Sequence, residues 1–503
     1  MLLEDTIAAI STAVGEGAIA VLRVSGPEAV NLVARIFRGS AALEKMEPRR
    51  SYFGEIYDVT GVVDQVLVTI FRRPQSYTGE DLIEVSCHGG ILVTRKILSL
   101  LLNAGARSAE PGEFTQRAFL NGKMDLTQAE AVMDLIRAQT ELALRAANEQ
   151  LAGHLGRELA KIQDQLLTTL AHIEAYIDFP DEGISPATGK MLFDRLEETG
   201  ISLSRLVATA DQGRILRHGL RTVIYGEPNV GKSSLLNLLL GYDRAIVSET
   251  PGTTRDTIEE TINVRGIPVR LVDTAGKRSS EDSIEKEGIR RTELQLAQAD
   301  LVLKVVDASL PCCLNEPDSA PSSETREAIS GKPGGYVRQA GLSDEAAGGS
   351  DDGAKSENER ERAAQGDNEW ELSKSAGQKK RILVLNKADL GMHEDWASTE
   401  GVRFSCKTRE GQEGLNEAIW DFVMSNGMGG EDFRIAISAR HQACLQKAII
   451  DLEAAKAGLA SNELPELVSI ELRSALDSIG DVVGRHDTED LLGRIFSEFC
   501  IGK

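Results

Sequence analysis

A glycine-rich segment with one lysine and two serines has the clearest chemistry in this chain. The letters GEPNVGKSS begin at Gly226, after the strand-like run RTVIY, and continue into LLNLLLG. The spacing G-x-x-x-x-G-K-S between a strand and a helix is typical of a phosphate-binding loop, because its glycines let main-chain N–H groups face phosphate oxygens. The helix N-terminus adds a favourable dipole. We expect Lys232 to reach the β- and γ-phosphates and Ser233 to ligate magnesium.

Later motifs identify the nucleotide base. NKAD begins at Asn386 after the strand-like run RILVL, and SCK begins at Ser405, where it would back the base. The Asp389 carboxylate can accept hydrogen bonds from the N1–H and the exocyclic amine of guanine, which adenine cannot match. DTAG would place Asp273 near the magnesium and the Gly276 amide near the γ-phosphate. These motifs predict GTP as the substrate rather than ATP.

The residues that would hydrolyse GTP are less usual. Ras-like switches carry a glutamine just after the DTAG-type loop, where it orients the attacking water. In this chain the residue after DTAG is Lys277. Lys277 and Arg278 either act in the site or are solvated loop charges. The stretch SETPGTTRD supplies Thr254 as a second hydroxyl for magnesium.

The last residues of the chain raise a separate question. They read EFCIGK, and Cys500 could be a lipid anchor, a core thiol or part of a site that needs the chain end. Gly502 and Lys503 do not suit a prenylation box, whose last residue is usually Ser, Met, Gln, Ala, Leu or Phe.

Composition limits the class of protein. The chain has 503 residues, 41% of them apolar, which suggests about three domains. Its six cysteines lack the paired spacing of a zinc site or a disulfide framework. No apolar run is long enough to cross a membrane, and the first residues resemble no targeting peptide. We therefore expect a cytoplasmic protein. A net charge of −22 argues against strong RNA binding by the chain alone.

Hydrophobic patterns predict two kinds of segment in the first and last parts of the chain. Residues 1 to about 120 mix strand-like runs (AIAVLRVSG, QVLVTIF, DLIEVSC) with helical ones (PEAVNLVARIF, ILVTRKILSLLLNAG), an α+β pattern. From about 125, and again over 430–503, the pattern is helical. Seven residues step by three or four along one predicted helix stripe, namely Leu155, Leu159, Ile162, Leu166, Leu170, Ile173 and Ile177.

The middle of the chain has alternating strands and helices. RTVIYG, VRLVDTAG, LVLKVVDAS, RILVLNKAD and VRFSC read as a parallel sheet wrapped by helices. Because helical patterns precede and follow it, we predict an α/β domain inserted into a helical one. Residues 311–380 are rich in Gly, Ser, Asp, Glu and Ala, with few large apolar residues. We expect them to form a disordered surface loop.

Several stretches together resemble one family. PNVGKSSLLN, PGTTRD, DTAG, SYTGEDLIEVSCHGG, PGEFTQRAFLNGKMDLTQAEAV, YIDFPDE and the tail LLGRIFSEFCIGK are similar to the MnmE (TrmE) family of tRNA modification GTPases, over the whole chain except 311–380. The resemblance implies a multidomain α+β and α/β fold. It places an α+β dimerisation and folate-binding domain at 1–122, a discontinuous helical domain at 123–218 and 426–503, and a Ras-like P-loop GTPase domain at 219–425.

The resemblance also implies activity and partners. Such proteins are homodimers joined through the N-terminal domain, with GTPase domains that meet across the dimer when GTP binds. With a flavin-dependent (FAD) partner they form a heterotetramer, which adds an aminomethyl or carboxymethylaminomethyl group to C5 of the wobble uridine of certain tRNAs. A folate, 5-formyltetrahydrofolate or a relative, binds the N-terminal domain. The implied folate residues are Arg23, Glu80, Lys123 and Lys503.

Other implied residues concern hydrolysis and the tail. In this family a potassium ion replaces an arginine finger, and its implied ligands are Asn229, Ser248, Thr250 and Thr253. Magnesium would be held by Ser233 and Thr254. Glu285 matches an acid proposed to orient the attacking water, although an exposed glutamate at a helix start is the alternative. The tail would reach the folate site, so Cys500 is either a reactive thiol or a structural one.

The complete GTP site follows from the motifs and the resemblance together. Lys232 and Asp273, with Glu285, are the predicted catalytic residues. The predicted GTP-binding residues are Asn229, Val230, Gly231, Lys232, Ser233, Ser234, Ser248, Glu249, Thr250, Pro251, Gly252, Thr253, Thr254, Asp273, Thr274, Ala275, Gly276, Asn386, Lys387, Ala388, Asp389, Ser405, Cys406 and Lys407. Two rival functions share these motifs: an Era-like ribosome-assembly GTPase, which would carry a basic RNA-binding module, and a GTPase switch that regulates an unrelated partner.

Overall fold

A computed structural model describes residues 5–39, 41–178, 188–243, 259–273, 294–312, 381–425, 435–461, 464–485 and 489–503. The chain divides into two compact units. Unit 1 comprises residues 1–218 and 425–503, and unit 2 comprises residues 219–424.

Unit 1 begins with a mixed, mostly antiparallel sheet in the order β3-β4-β5-β6-β2-β1-β7. Strands β2, β5 and β6 confirm the three predicted strand runs, and β1, β3, β4 and β7 complete the sheet. The strands are β1 (Ile7–Ile10), β2 (Gly17–Ser25), β3 (Phe37–Gly39), β4 (Ser51–Asp58), β5 (Gly61–Phe71), β6 (Leu82–Gly89) and β7 (Arg107–Ser108).

Two helices cover one face of this sheet. Helices α1 (Ala29–Ile36) and α2 (Ile91–Ala104) share a core with the inward residues of β2, β5 and β6. Along β5 the residues alternate, so Val66, Val68 and Ile70 are buried while Leu67 faces outward. This period of two is what a sheet with one covered face requires.

The rest of unit 1 is helical. Its helices are α3 (Glu113–Leu120), α4 (Leu126–Arg137), α5 (Glu141–Leu151), α6 (His154–Asp178), α7 (Thr188–Ala208), α8 (Ala210–His218), α11 (Ala439–Ala460), α12 (Pro465–Val483) and α13 (Glu489–Ser497), the last three following unit 2 in the chain. The predicted stripe lies on α6, where its first six members are buried and Ile177 packs partly buried against them. The same core includes residues of α7, α11 and α12. The helical part is thus discontinuous in sequence.

Unit 2 is a six-stranded sheet in the order β13-β12-β11-β8-β10-β9. Its strands are β8 (Leu220–Tyr225), β9 (Glu259–Val264), β10 (Ile267–Asp273), β11 (Leu301–Asp307), β12 (Arg381–Asn386) and β13 (Val402–Arg403), and its helices include α9 (Lys232–Asp243) and α10 (Gln412–Ser425). The five predicted strand runs all occur and pair in parallel. The sequence analysis did not predict β9, which adds an antiparallel strand at one edge and is joined to β10 by a two-residue turn at Arg265 and Gly266.

The predicted insertion lies almost entirely outside the described residues, which stop at 312 and resume at 381. The strands on either side of it, β11 and β12, are parallel neighbours, with Asp307 opposite Asn386. A connection between parallel neighbours has to return along the length of the strand.

Candidate functional site

The phosphate-binding loop joins β8 to α9 in unit 2. Gly226 and Gly231 have φ values of +153° and +102°, and Asn229 also has a positive φ of +66°. A Cβ atom at Gly226 would lie 2.2 Å from the Val305 carbonyl oxygen. Only glycine fits there without displacing main chain, so this loop needs its glycines for conformation and for space.

The start of α9 carries the predicted phosphate ligands. The Nζ atom of Lys232 donates hydrogen bonds to the carbonyl oxygens of Gly226 and Glu227, each at 2.7 Å. Ser233 and Ser234 are exposed in the first helical turn. A lysine at the start of a helix that follows a glycine-rich loop is the arrangement that attracts a phosphate.

Asn386 joins the phosphate loop to the base motifs. Its side chain is buried, and Nδ2 donates to the Val230 carbonyl oxygen at 2.7 Å. Its Oδ1 accepts from the Cys406 main-chain N–H at 3.2 Å. The three motifs, far apart in sequence, are therefore connected by one amide group.

The Asp389 carboxylate is fixed from one side. Its Oδ1 accepts a hydrogen bond of 2.7 Å from the Ser405 hydroxyl, which itself accepts from the N–H groups of Lys407 and Thr408. The Ala388 N–H donates to Phe404 O at 3.1 Å. A carboxylate has about four acceptor positions, so one serine leaves room for two donors of a guanine edge.

Two neighbours of this motif complete the described part of the site. Lys387 has a left-handed φ of +62°, and its Nζ lies 2.5 Å from Asp307 Oδ2. Burial raises the pKa of the half-buried Cys406 thiol. A neutral thiol is suited to packing rather than to nucleophilic chemistry.

Apart from Lys232, the side chains predicted to hydrolyse GTP lie outside the part of the chain that the structure describes. Asp273 ends β10, but its side chain lies outside the described part of the structure. The same holds for Glu285, for Thr274, Ala275 and Gly276, and for the loop residues Ser248, Glu249, Thr250, Pro251, Gly252, Thr253 and Thr254. These assignments stay predictions.

Unit 1 contains the predicted folate residues. Arg23 on β2 donates from Nε to Glu84 Oε1 at 2.9 Å and lies over the Tyr77 ring at 5.4 Å. Burial, followed by the positive charge of Arg23, lowers the pKa of Lys503. Two of the four predicted folate residues, Arg23 and Lys503, are therefore close enough for their charges to interact.

The other two lie on the loop before β6 and after α3. The Glu80 carboxylate accepts from the Ser25 hydroxyl at 2.8 Å. Lys123 donates from Nζ to the Pro74 carbonyl oxygen at 3.0 Å, and its Cγ would lie 3.4 Å from a Cβ atom at Gly79. The four residues come from β2, this loop, the turn after α3 and the tail. Their association depends on the tertiary fold.

The tail is held against the N-terminal part of unit 1 by its main chain. The N–H groups of Gly112 and Phe114 donate to the carbonyl oxygens of Cys500 and Lys503, at 3.4 and 3.1 Å. Gly502 has a φ of +94°, and a Cβ atom there would lie 2.5 Å from Ile10 O. Cys500 is exposed. Of the three readings of this thiol, a buried core residue is therefore wrong.

The sequence prediction missed a charged cluster beneath this region. Arg117 is fully buried and contacts Asp5, Glu80 and Glu113. Arg107 pairs with Asp5 and Glu113 from the outside. Arg117 lies within the motif PGEFTQRAFLNGK, so a signal was present, but no spacing rule links it to Glu80.

The sequence analysis also missed a second cluster of charged residues. It lies in unit 1, close in sequence to the two points where the chain passes to and from unit 2. Arg217 donates from Nε to Asp134 Oδ2 at 2.7 Å and from Nη2 to Ala436 O at 3.1 Å. His441 is fully buried, with Nε2 2.6 Å from Glu130 Oε2. Burial opposes ionisation of Glu130, but His441 and Arg440 outweigh it and lower the pKa to about 2. Burial lowers the pKa of His441.

A metal centre and a membrane-spanning helix are both absent from the described residues. No group of His, Cys, Asp and Glu side chains there is arranged to hold a metal ion. None of the described helices combines the length and the apolar character that a membrane span needs.

Solved structures give weak matches only. The G domain of the T. maritima FeoB iron transporter is 22% identical with a TM-score of 0.23, and covers 40% of this chain and 97% of its own. A structure of Aquifex aeolicus Era with GDP and AlF4⁻ is 20% identical with a TM-score of 0.24, and covers 46% of this chain and 65% of its own. Similarities this low carry no conclusion about fold or function.

Family models and full-length relatives give strong matches. A model of the MnmE helical domain matches residues 126–500, and a model of the TrmE N-terminus matches residues 6–123. A tRNA modification GTPase MnmE of Akkermansia muciniphila is 47% identical over 503 residues, covering 99% of both chains. Its namesake in Geobacter sulfurreducens is 42% identical over 510 residues, covering 100% of both. The family prediction is confirmed: this chain belongs to the MnmE (TrmE) family of tRNA modification GTPases.

Proposed function

We propose that this chain hydrolyses GTP to drive modification of tRNA. The observation that carries the proposal is the connection, through Asn386, between the phosphate loop and a carboxylate placed to read guanine. The names of the full-length relatives support the same activity. Among the GTPases considered from sequence, this function also accounts for unit 1, which an Era-like protein or a simple switch leaves unexplained.

We assign the nucleotide contacts by residue type. Lys232 and the amides of Val230, Gly231, Ser233 and Ser234 would hold the phosphates. Asp389 would accept from guanine, with the SCK segment behind the base. The loop 248–254 and the segment 273–276 would surround the γ-phosphate.

Two metal ions fit the oxygen donors available. Magnesium prefers hard oxygen ligands, and the exposed Ser233 hydroxyl, with Thr254, would supply them. Potassium would be held by oxygen atoms of Asn229, Ser248, Thr250 and Thr253. It would supply positive charge where negative charge develops on the phosphates. Glu285 would orient the attacking water, and Asp273 would support the magnesium.

A folate fits the charged residues of unit 1. The cations Arg23, Lys123 and Lys503 suit the carboxylates of a glutamyl tail, and Glu80 suits the N–H donors of an amino-pyrimidine ring. When bound, 5-formyltetrahydrofolate or a relative would supply a one-carbon unit. Cys500 adjoins this region, which leaves it either a reactive or a structural role.

The proposed partners are a second copy, a flavin-dependent protein and tRNA. Phe53 and Leu67 are cross-strand partners on the outer face of β4 and β5, and they are 59% and 46% exposed. An apolar pair in that position supports dimerisation through the N-terminal sheet. We further propose that an FAD-containing partner joins this dimer in a heterotetramer, and that the product is an aminomethyl or carboxymethylaminomethyl group at C5 of the wobble uridine.

The deciding experiment is nucleoside analysis of tRNA by mass spectrometry. A strain that lacks the gene should lose the C5-modified wobble uridines, and the unsubstituted chain should restore them. Asp389→Asn should restore them poorly while hydrolysing xanthosine triphosphate better than GTP, because the new amide donates where the carboxylate accepted. Glu158→Gln, on the surface of α6, is the matched control. Unchanged wobble nucleosides in the deletion strain would refute the tRNA assignment.

The potassium assignment needs its own measurement. GTP hydrolysis should be much faster in potassium than in sodium, whereas GTP affinity should be similar in both salts. Equal turnover in the two salts would remove potassium from the mechanism without affecting the tRNA assignment.

A further inference from the structure

The most deeply buried charge in the N-terminal part of unit 1 has no role in the function proposed so far. Arg117 on α3 is completely buried. Burying a guanidinium is unfavourable unless charged partners surround it. Its position therefore calls for an explanation in terms of what it holds.

Arg117 is shared among three carboxylate residues. Nη2 donates to Asp5 Oδ1 at 2.7 Å and to Glu113 Oε1 at 2.9 Å. Nη1 donates to Asp5 O at 3.0 Å and lies 3.3 Å from both oxygens of Glu80. Burial lowers the pKa of Arg117, but these partners outweigh it and the net shift is upward. The guanidinium is therefore charged when it faces Glu80.

The charges in this cluster do not balance. With Arg107 included, two guanidinium groups face the three carboxylates of Asp5, Glu80 and Glu113. The cluster as a whole keeps one negative charge. Glu80 has the weakest hold on Arg117, because its distances of 3.3 Å exceed those to Asp5 and Glu113.

Glu80 consequently retains capacity to bind a donor. Oε2 accepts from the Ser25 hydroxyl at 2.8 Å, whereas Oε1 has only the long contact to Arg117 among its hydrogen bonds in the described structure. A carboxylate oxygen can accept about two hydrogen bonds. One N–H donor of a ligand could therefore use the remaining lone pair of Oε1, and a second donor could replace the long contact from Arg117 to Oε2.

Helix α3 itself is fixed at its first turn. The tail residues Cys500 and Lys503 accept from the N–H groups of Gly112 and Phe114. Glu113, between these two residues, accepts from the Glu110 N–H at 2.8 Å as well as from Arg117. The guanidinium is thus held by a helix that cannot shift without breaking the tail contacts.

We propose that Arg117 is a positioning residue for Glu80, which orients that carboxylate toward the amino-pyrimidine N–H donors of a bound folate. This inference rests on the proposed folate site. Lysine in place of Arg117 would keep the charge but lose the planar fork that reaches Glu80, Asp5 and Glu113 together.

The test is a double-mutant cycle on folate affinity, measured by calorimetry with the full chain and 5-formyltetrahydrofolate. Arg117→Lys and Glu80→Gln should each weaken binding about tenfold or more, in line with the loss of a charge-assisted hydrogen bond. In the Glu80→Gln background, Arg117→Lys should cost less than about threefold, because its target is gone. Arg107→Lys is the matched control, since Arg107 contacts Asp5 and Glu113 but not Glu80 in the described contacts.

A second ligand separates positioning from general stability. An analogue without the 2-amino group keeps only one of the paired N–H donors for Glu80, so Arg117→Lys should weaken its binding less than it weakens the binding of 5-formyltetrahydrofolate. If Arg117→Lys does not fold, Glu113→Gln replaces it in the same cycle. Additive losses in the cycle would overturn the inference alone. No folate binding by the unsubstituted chain would overturn the folate assignment and the inference with it.

Discussion

The nucleotide site of unit 2 and the charged site of unit 1 hold their ligand-facing groups by different means. In unit 2, a glycine-rich loop and two short motifs form the site, connected by the Asn386 amide. In unit 1, side chains from β2, a loop, α3 and the tail are held by a buried arginine and by contacts to the chain end. The first site depends on glycine conformations, the second on buried charges and a docked tail. The two sites should therefore respond to different perturbations.

The largest effect is expected from Gly226→Ala in the phosphate loop. The new Cβ would lie 2.2 Å from a main-chain oxygen that no rotamer change can move. We expect GTP affinity to fall by about 100-fold or more, equivalent to about 3 kcal/mol, as measured by titration with a fluorescent nucleotide. Gly241→Ala on α9, where a Cβ meets nothing within 4 Å, is the matched control. Folate binding should not change, and near-normal nucleotide affinity would contradict this account.

Gly502→Ala tests the docked tail in the same way. Its Cβ would lie 2.5 Å from Ile10 O at a left-handed φ, a strain of about 1–3 kcal/mol. Folate affinity should fall about tenfold or more while GTP hydrolysis stays within a factor of two. The control is Gly493→Ala on α13, where a Cβ again meets nothing within 4 Å. If Gly502→Ala lost GTP hydrolysis but kept folate binding, the assignment of the tail to the unit 1 site would be wrong.

The buried charges of unit 1 predict that its stability depends on pH. The pKa of Glu130 is lowered from 4.5 to about 2, so its stabilising effect is present above pH 4.5 and is lost as pH falls toward 2. From pH 7 to pH 4 this loss amounts to about 1 kcal/mol of unfolding free energy.

Urea unfolding between pH 4 and pH 7 measures this effect. Glu130→Gln should be less stable than the unsubstituted chain at pH 7 and should show a weaker dependence on pH. Glu158→Gln, at an exposed ion pair with Lys161, should keep the original dependence. A Glu130→Gln profile parallel to that of the unsubstituted chain would show that the pair does not contribute.

The smallest effect is expected from shortening the connection between β11 and β12. Removing residues 318–372 leaves about a dozen residues between the last described residue and β12, which suffices for a crossover between parallel strands. Both sites should keep their affinities, and stability should change by about 1 kcal/mol in favour of folding, because a shorter loop costs less entropy to close. Removing residues 312–378 is the contrasting variant. It leaves too few residues to return along the strand, and it should not fold.

The phosphate loop, the guanine motif and the stripe of α6 could be predicted from the sequence, because each depends on neighbours within a few residues. A glycine-rich turn between a strand and a helix has one main use, and a spacing of three or four puts side chains on one helix face. The family followed from motifs that are contiguous in sequence. Motifs of this kind can be recognised without knowledge of the fold.

The remaining features depend on contacts between segments that are distant in sequence. The link from Asn386 to Val230 spans 156 positions, and the contact from Arg117 to Asp5 spans 112. The antiparallel β9, the buried pair of Glu130 and His441, and the neighbourhood of Arg23 and Lys503 likewise depend on packing between distant segments. Periodicity reports which face of an element is buried, but the partner of a buried charge is set by whichever distant chain segment packs against it.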